Sequence, residues 1–284
     1  MLCTAPPMAD ALELARPYFA VYRARFLLLL QYRTAALAGL TTQLWWGSMK
    51  LLVLAAFYAQ APHQPLSFPQ AASYIWLVQA FLTTLPWGVD GEIELMMRTG
   101  NVAYERLRPL DTYWFWFARS VALRSAPPAL RAGPIFLLSG AVMSFAGLEA
   151  WALGPPAGPG AAILFALSMA MAILLSAALT TLTSIRLVAM ISGRGLNGLM
   201  ASLVLVFSGM VLPLQLFPGW MQTALFFQPF SGLIDIPFRI YSGGLAGAQA
   251  GAGIACQIVW TAVFIGLGRA WMGRTMARVE VLGG

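Results

Sequence analysis

Hydrophobic positions along this chain fall in unbroken runs of about 17 to 26 residues, without the 3.6-residue stripe of a half-exposed helix or the alternation of a barrel strand. Six such runs cover 34–59, 71–88, 132–150, 160–185, 196–212 and 250–272. Each matches a hydrocarbon core of roughly 30 Å at about 1.5 Å per residue. A lipid-exposed backbone must satisfy its hydrogen bonds within its own element, so the runs predict six transmembrane helices. The expected fold class is therefore an all-α integral membrane protein, with residues 34–284 forming a single transmembrane domain.

Between the runs, two segments have a pattern of their own. Residues 1–33 mix aromatic and leucine side chains with Arg16, Arg23, Arg25 and Arg33, which predicts an amphipathic helix lying in the inner membrane interface; a plain basic flank of the first span is the simpler alternative. The early apolar stretch 26–30 is too short, and too closely flanked by arginines, for a cleavable signal. Between the fifth and sixth runs, two short apolar pieces, 219–227 and 230–241, lie among Pro213, Pro218, Pro229, Pro237, Gly243 and Gly244. At roughly 14 to 18 Å if helical, neither can cross. They predict a hairpin that dips back into the outer leaflet with its non-helical tip buried in protein, and Asp235 and Arg239, four apart, are placed to pair.

Composition agrees with a membrane solvent: 60% of the 284 residues are hydrophobic and 10% charged, and the mean hydropathy is +0.75. A soluble fold would have to bury nearly all of that surface. Fifteen of the 17 basic residues lie in the N-terminal segment, the second-to-third and fourth-to-fifth connections, and the C-terminal end. The opposite connections hold only Arg239, and Lys50 falls inside the first run. The positive-inside rule then predicts cytoplasmic termini, and the net charge of +7 reports topology, with no nucleic-acid footprint.

The inventory of chemistry is mostly negative. Lys50 is the only lysine and belongs to no phosphate-binding GxxxxGK[ST] loop. His63 is the only histidine, so neither a Ser/His/Asp arrangement nor an HExxH metal site can be built, and no metal is expected. Cys3 and Cys256 are placed too differently for a disulfide. The runs carry no carboxylate of the kind that ion-coupled carriers use at mid-membrane.

What remains is concentrated in a few places. Residues 90–111 gather half of the ten acids beside basic residues and glycine or proline breaks, and Glu92, Glu94, Arg106 and Arg108 suit charge-assisted docking of a soluble protein. A solvated loop of mutually compensating charges fits equally well. Trp45, Trp46 and Trp260 lie within runs instead of at their ends, so they read either as stacking surfaces for a flat ligand in a pathway or, more commonly, as packing and lipid-facing aromatics. Lys50 either faces such a pathway or snorkels to the outer headgroups.

The basic N-terminal segment, the six runs, the stretch Gly100-Asn101-Val102-Ala103-Tyr104-Glu105-Arg106-Leu107-Arg108-Pro109-Leu110-Asp111 and the path from Leu216-Phe217-Pro218-Gly219-Trp220 to Gln228-Pro229-Phe230 together resemble the permease subunits of ABC-2 type transporters, in particular a bacterial branch with a Leu-Arg-Pro stretch after the second span. The resemblance spans essentially the whole chain. It implies a bacterial inner-membrane exporter in which two permeases, of the same or different chains, each dock a cytoplasmic ABC ATPase that binds ATP and magnesium; this chain binds no cofactor and is not itself an enzyme. The docking or coupling residues would be Glu92, Glu94, Arg98, Gly100, Asn101, Tyr104, Arg106, Arg108 and Pro109. Trp45, Trp46, Lys50 and Trp260 would line the pathway for a hydrophobic or amphiphilic cargo, and Pro218, Pro229, Asp235 and Arg239 would belong to the outer gate. A secondary carrier is the runner-up, and a membrane-embedded enzyme or assembly scaffold follows it.

Overall fold

A computed structural model describes residues 8–60, 65–189 and 194–277. Among these the regular secondary structure is all helical, with no strand. The helices are α1 (Met8–Leu30), α2 (Arg33–Gln60), α3 (Phe68–Phe81), α4 (Gly91–Arg98), α5 (Thr112–Ile135), α6 (Met143–Phe145), α7 (Pro159–Ala189), α8 (Arg194–Phe207), α9 (Gly219–Phe227), α10 (Asp235–Tyr241) and α11 (Gly247–Ala277). Every apolar run of the sequence falls on one or more of them.

Among the described residues, three stretches are long and apolar enough to cross a membrane: Thr112–Phe145, Pro159–Val188 and Gly247–Ala277. The chain is accordingly an all-α protein with the helices of a membrane protein. The other runs differ from the simple expectation. At 28 residues α2 has the length, but it carries Lys50 and Arg33. Helices α3 and α8 have 14 residues each, about 21 Å, which falls short of a hydrocarbon core.

The third span departs most. It was expected to start at residue 132, with Arg119, Arg124 and Arg131 in the preceding loop, yet α5 starts at Thr112 and carries all three arginines on the helix. Asp111 caps it by accepting a hydrogen bond from the Trp114 N–H at 3.1 Å. The helix tolerates Pro127, Pro128 and Pro134 and passes straight into a π-helical segment, Phe136–Val142, just beyond the last of them. Pro134 has no N–H to offer the Leu130 carbonyl, and within the wider turn that follows the Ser139 hydroxyl donates to the Ile135 carbonyl at 2.7 Å.

Where the chain breaks, side chains take over from the helix. Between α3 and α4 the backbone leaves helical geometry after the turn Leu82–Thr84. Arg124 fills this break: its guanidinium donates to the Leu85 carbonyl (2.7 Å), the Gly88 carbonyl (2.8 Å) and the Thr180 hydroxyl (2.8 Å). Ser176 donates to the Thr84 carbonyl, and Thr181 to the Ser120 hydroxyl at 3.0 Å. A stripe of buried hydroxyls on α7 thus ties that apolar helix to α5 and to the break. Around it the main core collects Trp76, Leu77, Leu85, Ile135, Leu175, Leu179 and Phe238 from α3, α5, α7 and α10.

Helices α1 and α2 follow α5 in the same direction. The Asp111 N–H donates to the Tyr18 hydroxyl at 3.1 Å, Arg25 and Arg119 share the same two acids, and the Arg131 guanidinium lies in the notch at Gly39, where a Cβ would collide with it. These contacts advance together along both partners.

Candidate functional site

The stretch 90–111 folds into a ledge made of α4 and the 3-10 turn Asn101–Leu107. Asp90 caps α4, accepting from the Glu92 N–H at 3.0 Å, and Glu92 and Glu94 stand in the first turn, where the helix dipole favours acids. Gly100, at φ +75°, lets the chain reverse from α4 into the 3-10 turn. One apolar side chain, Ile93, is fully buried under the ledge against Trp116, Phe115 and Val102.

The ledge is bolted down by charge. Asp90, only 1% exposed, takes Arg119 at 3.4 Å and Arg25 at 3.5 Å; Glu92 takes Arg119 at 2.5 Å and also pairs with Arg25. Burial lowers the pKa of the Arg25 guanidinium, and the Asp90 charge counters it. Two acids and two guanidinium groups therefore link α1, α4 and α5 in one network. Arg25, Asp90 and Arg119 were not among the expected site residues, because sequence distance hides them: they are 65 and 29 positions apart.

The expected docking residues divide accordingly. Glu92 is engaged from within the chain. Glu94 pairs with Arg98 one turn away at 2.6 Å, on an exposed face. Arg108 pairs with the buried Glu105 at 3.3 Å and lies over the Phe115 ring at 4.7 Å. Asn101, Tyr104 and Pro109 are exposed, and the side chain of Arg106 lies outside the described residues. The ledge also exposes apolar side chains: Leu95, Tyr104 and Leu107 stand 59%, 65% and 78% exposed, on the same two elements as the paired Arg98 and Arg108. Exposed apolar groups among charged ones suit a protein-binding surface.

At the opposite end, α9 and α10 form the expected two pieces. Trp220, on α9, is 82% exposed, whereas Ile236, Phe238 and Ile240 of α10 are fully buried. The junction, a 3-10 turn over Pro229–Leu233 where a non-helical tip was expected, is buried as well at Ser231, Gly232 and Leu233. Gln228 pins it, donating to the Phe207 carbonyl (2.7 Å) and the Leu225 carbonyl (3.0 Å) while accepting from the Phe230 N–H (2.7 Å). Gln257 of α11 reaches in from the other side, donating to the Gly232 carbonyl (2.7 Å) and the Ser168 carbonyl (3.0 Å). Pro218 precedes α9 and Pro229 opens the second piece.

Asp235, wholly buried, accepts from the Leu214 N–H at 3.0 Å and faces Arg239 at 3.5 Å, the pair that the spacing of four predicts. Burial pushes its carboxyl up to about 6, against the pull of Arg239 and of the Leu214 N–H.

Of the expected pathway residues, only Trp46 and Lys50 share a cavity. Trp45 and Trp46 project from α2, both more than half exposed. Trp260 belongs to the corner of α9 and α11, where its indole N–H donates to the Phe227 carbonyl at 2.7 Å and its ring stacks on Phe264. Lys50 lies beside Trp46 in a groove between α2 and α3. His63 and Cys3 lie outside the described residues; among those described no cluster of metal-ligating side chains occurs and Cys256 is a free thiol. Comparison with family models, with curated proteins and with solved structures finds no match to this chain.

Proposed function

We propose that this chain is the membrane subunit of an ATP-driven exporter, with the ledge of α4 and residues 101–107 as the surface on which a separate cytoplasmic ATPase docks. The observation that carries the reading is the combination of an outward apolar patch at Leu95, Tyr104 and Leu107 with an inward ion-pair network that fastens it to α1 and α5. A docking element that transmits force must be exposed on one side and rigidly tied to the helices on the other, and the ledge meets both demands. The same elements are those in which the sequence resembles ABC-2 permeases.

In this reading six segments cross the bacterial inner membrane: α2, α3 with its following turn, α5 with its π-helical extension, α7, α8 and α11. Both termini face the cytoplasm, and α1 accompanies the inner end of α5. The short helices α3 and α8 complete their crossings with irregular backbone enclosed by protein, as irregular backbone at membrane depth must be. Helices α9 and α10 form a re-entrant outer gate, hinged where Gln228 holds the ends of α8 and α9. ATP and magnesium belong to the docked subunit, and closure of two such subunits would pull on α4 and, through Asp90 and Glu92, on α1 and α5. A second permease, identical or different, completes the pathway for a hydrophobic or amphiphilic cargo.

One observation favours a secondary carrier instead: Asp235 is a fully buried carboxyl with a raised pKa. Its bonds to the Leu214 N–H and Arg239 give it a structural role, holding the gate segment to α10. Purification from the native membrane in mild detergent, with mass spectrometry of everything that comes along in stoichiometric amount, separates the readings. An ATP-binding cassette subunit is the expected companion; a chain that purifies alone and ignores ATP would sink the permease reading.

A further inference from the structure

The groove beside Lys50 has a chemistry of its own. It holds about 400 Å³ and is walled by α2, α3 and residues 210–216, with Trp46, Val53, Leu54, Ile75, Met210 and Leu216 among its apolar lining. That volume is within the range of small-molecule sites, about 300–1,000 Å³. At about 30 Å³ per water-sized group it accommodates roughly thirteen such groups, the bulk of one fatty chain and about half that of a two-chain lipid. Its mouth is open, since Trp46, Val53 and Phe57 are more than half exposed.

Lys50 is the only charged residue in the lining. The two tyrosine hydroxyls of the wall are already spent inward, Tyr58 donating to the Leu66 carbonyl at 2.8 Å and Tyr74 to the Gly209 carbonyl at 2.9 Å. Among the described residues no ion pair or hydrogen bond reaches the Lys50 ammonium. The chain has little to offer it: eight of its ten acids lie within 10–111 or at 280, Asp235 is buried against Arg239, and only Glu149 remains. A second copy would bring the same set. A cation in an apolar trough without a partner calls for an anion that arrives with its own hydrocarbon.

We propose that this groove binds a single-chain anionic amphiphile, its acid group on Lys50 and its chain along the α2–α3 wall. As a binding site it stands by itself; as the cargo class of the exporter it rests on the permease reading. A neutral amphiphile leaves the ammonium unpaired, and a cationic one is repelled.

The test uses the purified full-length chain in phosphatidylcholine nanodiscs with a photoactivatable palmitate as probe, labelled peptides being identified by mass spectrometry. Labelling is expected in α2 and residues 210–216, and unlabelled palmitate should compete at least about tenfold better than hexadecanol, its neutral counterpart. Lys50→Gln should weaken labelling by about the same factor, and Lys50→Arg should restore it. Val53→Trp, which fills the trough and leaves Lys50 in place, should abolish labelling without shifting the melting temperature, so the result does not hang on one variant. Equal labelling of Lys50→Gln and the parent, equal competition by hexadecanol, or full labelling of Val53→Trp would overturn the proposal. So would phosphatidylglycerol that competes with the probe better than palmitate does, which identifies a bilayer lipid as the occupant, or Val53→Cys chains that cross-link to one another and block labelling, which identifies a second copy. Absence of a co-purifying ATPase would remove the exporter and leave this binding result untouched.

Discussion

Arg124 shows how a charge can be built into an apolar helix. It is buried at 7% exposure, yet three of its donors meet the Leu85 and Gly88 carbonyls of the break after α3 and the Thr180 hydroxyl of α7. A lysine has neither the fork nor the reach to serve all three. Arg124→Lys should therefore cost roughly 1–3 kcal/mol, the penalty for one buried acceptor such as the Gly88 carbonyl left without its donor, and Arg124→Ala should cost more still. Thermal unfolding in detergent, followed by loss of helix signal, checks both; an unchanged midpoint in Arg124→Lys would remove the bracing role. Asp235 makes a prediction of the opposite kind. Its folded-state pKa is raised to about 6 from an ordinary 3.8, so its contribution to stability is fully present below the ordinary value and is lost as pH rises through about 6. The midpoint should fall by a few degrees between pH 4.5 and pH 7.5, and Asp235→Asn, which keeps an acceptor for the Leu214 N–H, should flatten that part of the profile. A parent profile that rises with pH over this range would show that Arg239 wins over burial.

At the scale of elements, the ledge and the outer hairpin can be tested apart. Leu107→Asp puts a charge into the exposed apolar patch without touching a buried contact, so ATPase capture should drop about tenfold or more with the melting temperature unchanged. Equal capture would move the docking surface elsewhere. Loss of Gln228 as Gln228→Leu should loosen the junction of α8, α9 and the following turn, read as faster hydrogen exchange at 226–234, while the inner ledge keeps its protection. How much of this was legible follows from the physics of each element. The hairpin pieces were readable because proline and glycine punctuate them, and the Asp235–Arg239 pair because four residues make one helical turn. The apolar runs located α2, α7 and α11 to within a few residues at each end. The start of α5 was not readable, since Arg119 and Arg124 in a linear pattern look like loop residues, and only contacts with Asp90, Leu85 and Gly88 turn them into helix residues. The stretch proposed for docking stands out in the sequence by its charges, but those charges mostly cancel inside the chain, and Leu95, Tyr104 and Leu107 are the apolar groups it leaves exposed.

Across the whole molecule, polar groups inside apolar helices do most of the organising. Hydroxyls of α7, Gln257 of α11 and Arg124 of α5 each secure a place where the backbone leaves helical geometry. Lipid supplies no hydrophobic force between helices, so such bonds and close packing have to set their arrangement. The parallel course of α1 and α5 has a further consequence, for biosynthesis. The acids that neutralise Arg25 are made 65 or more residues later, and Arg119, which shares them, 94 residues later. At about 5–20 residues per second the first helix waits on the order of 5–20 s beside the ribosome with its guanidinium unmatched. Until residue 119 has been translated, a nascent chain should carry an N-terminal helix open to protease, and protection should appear in one step once α5 emerges.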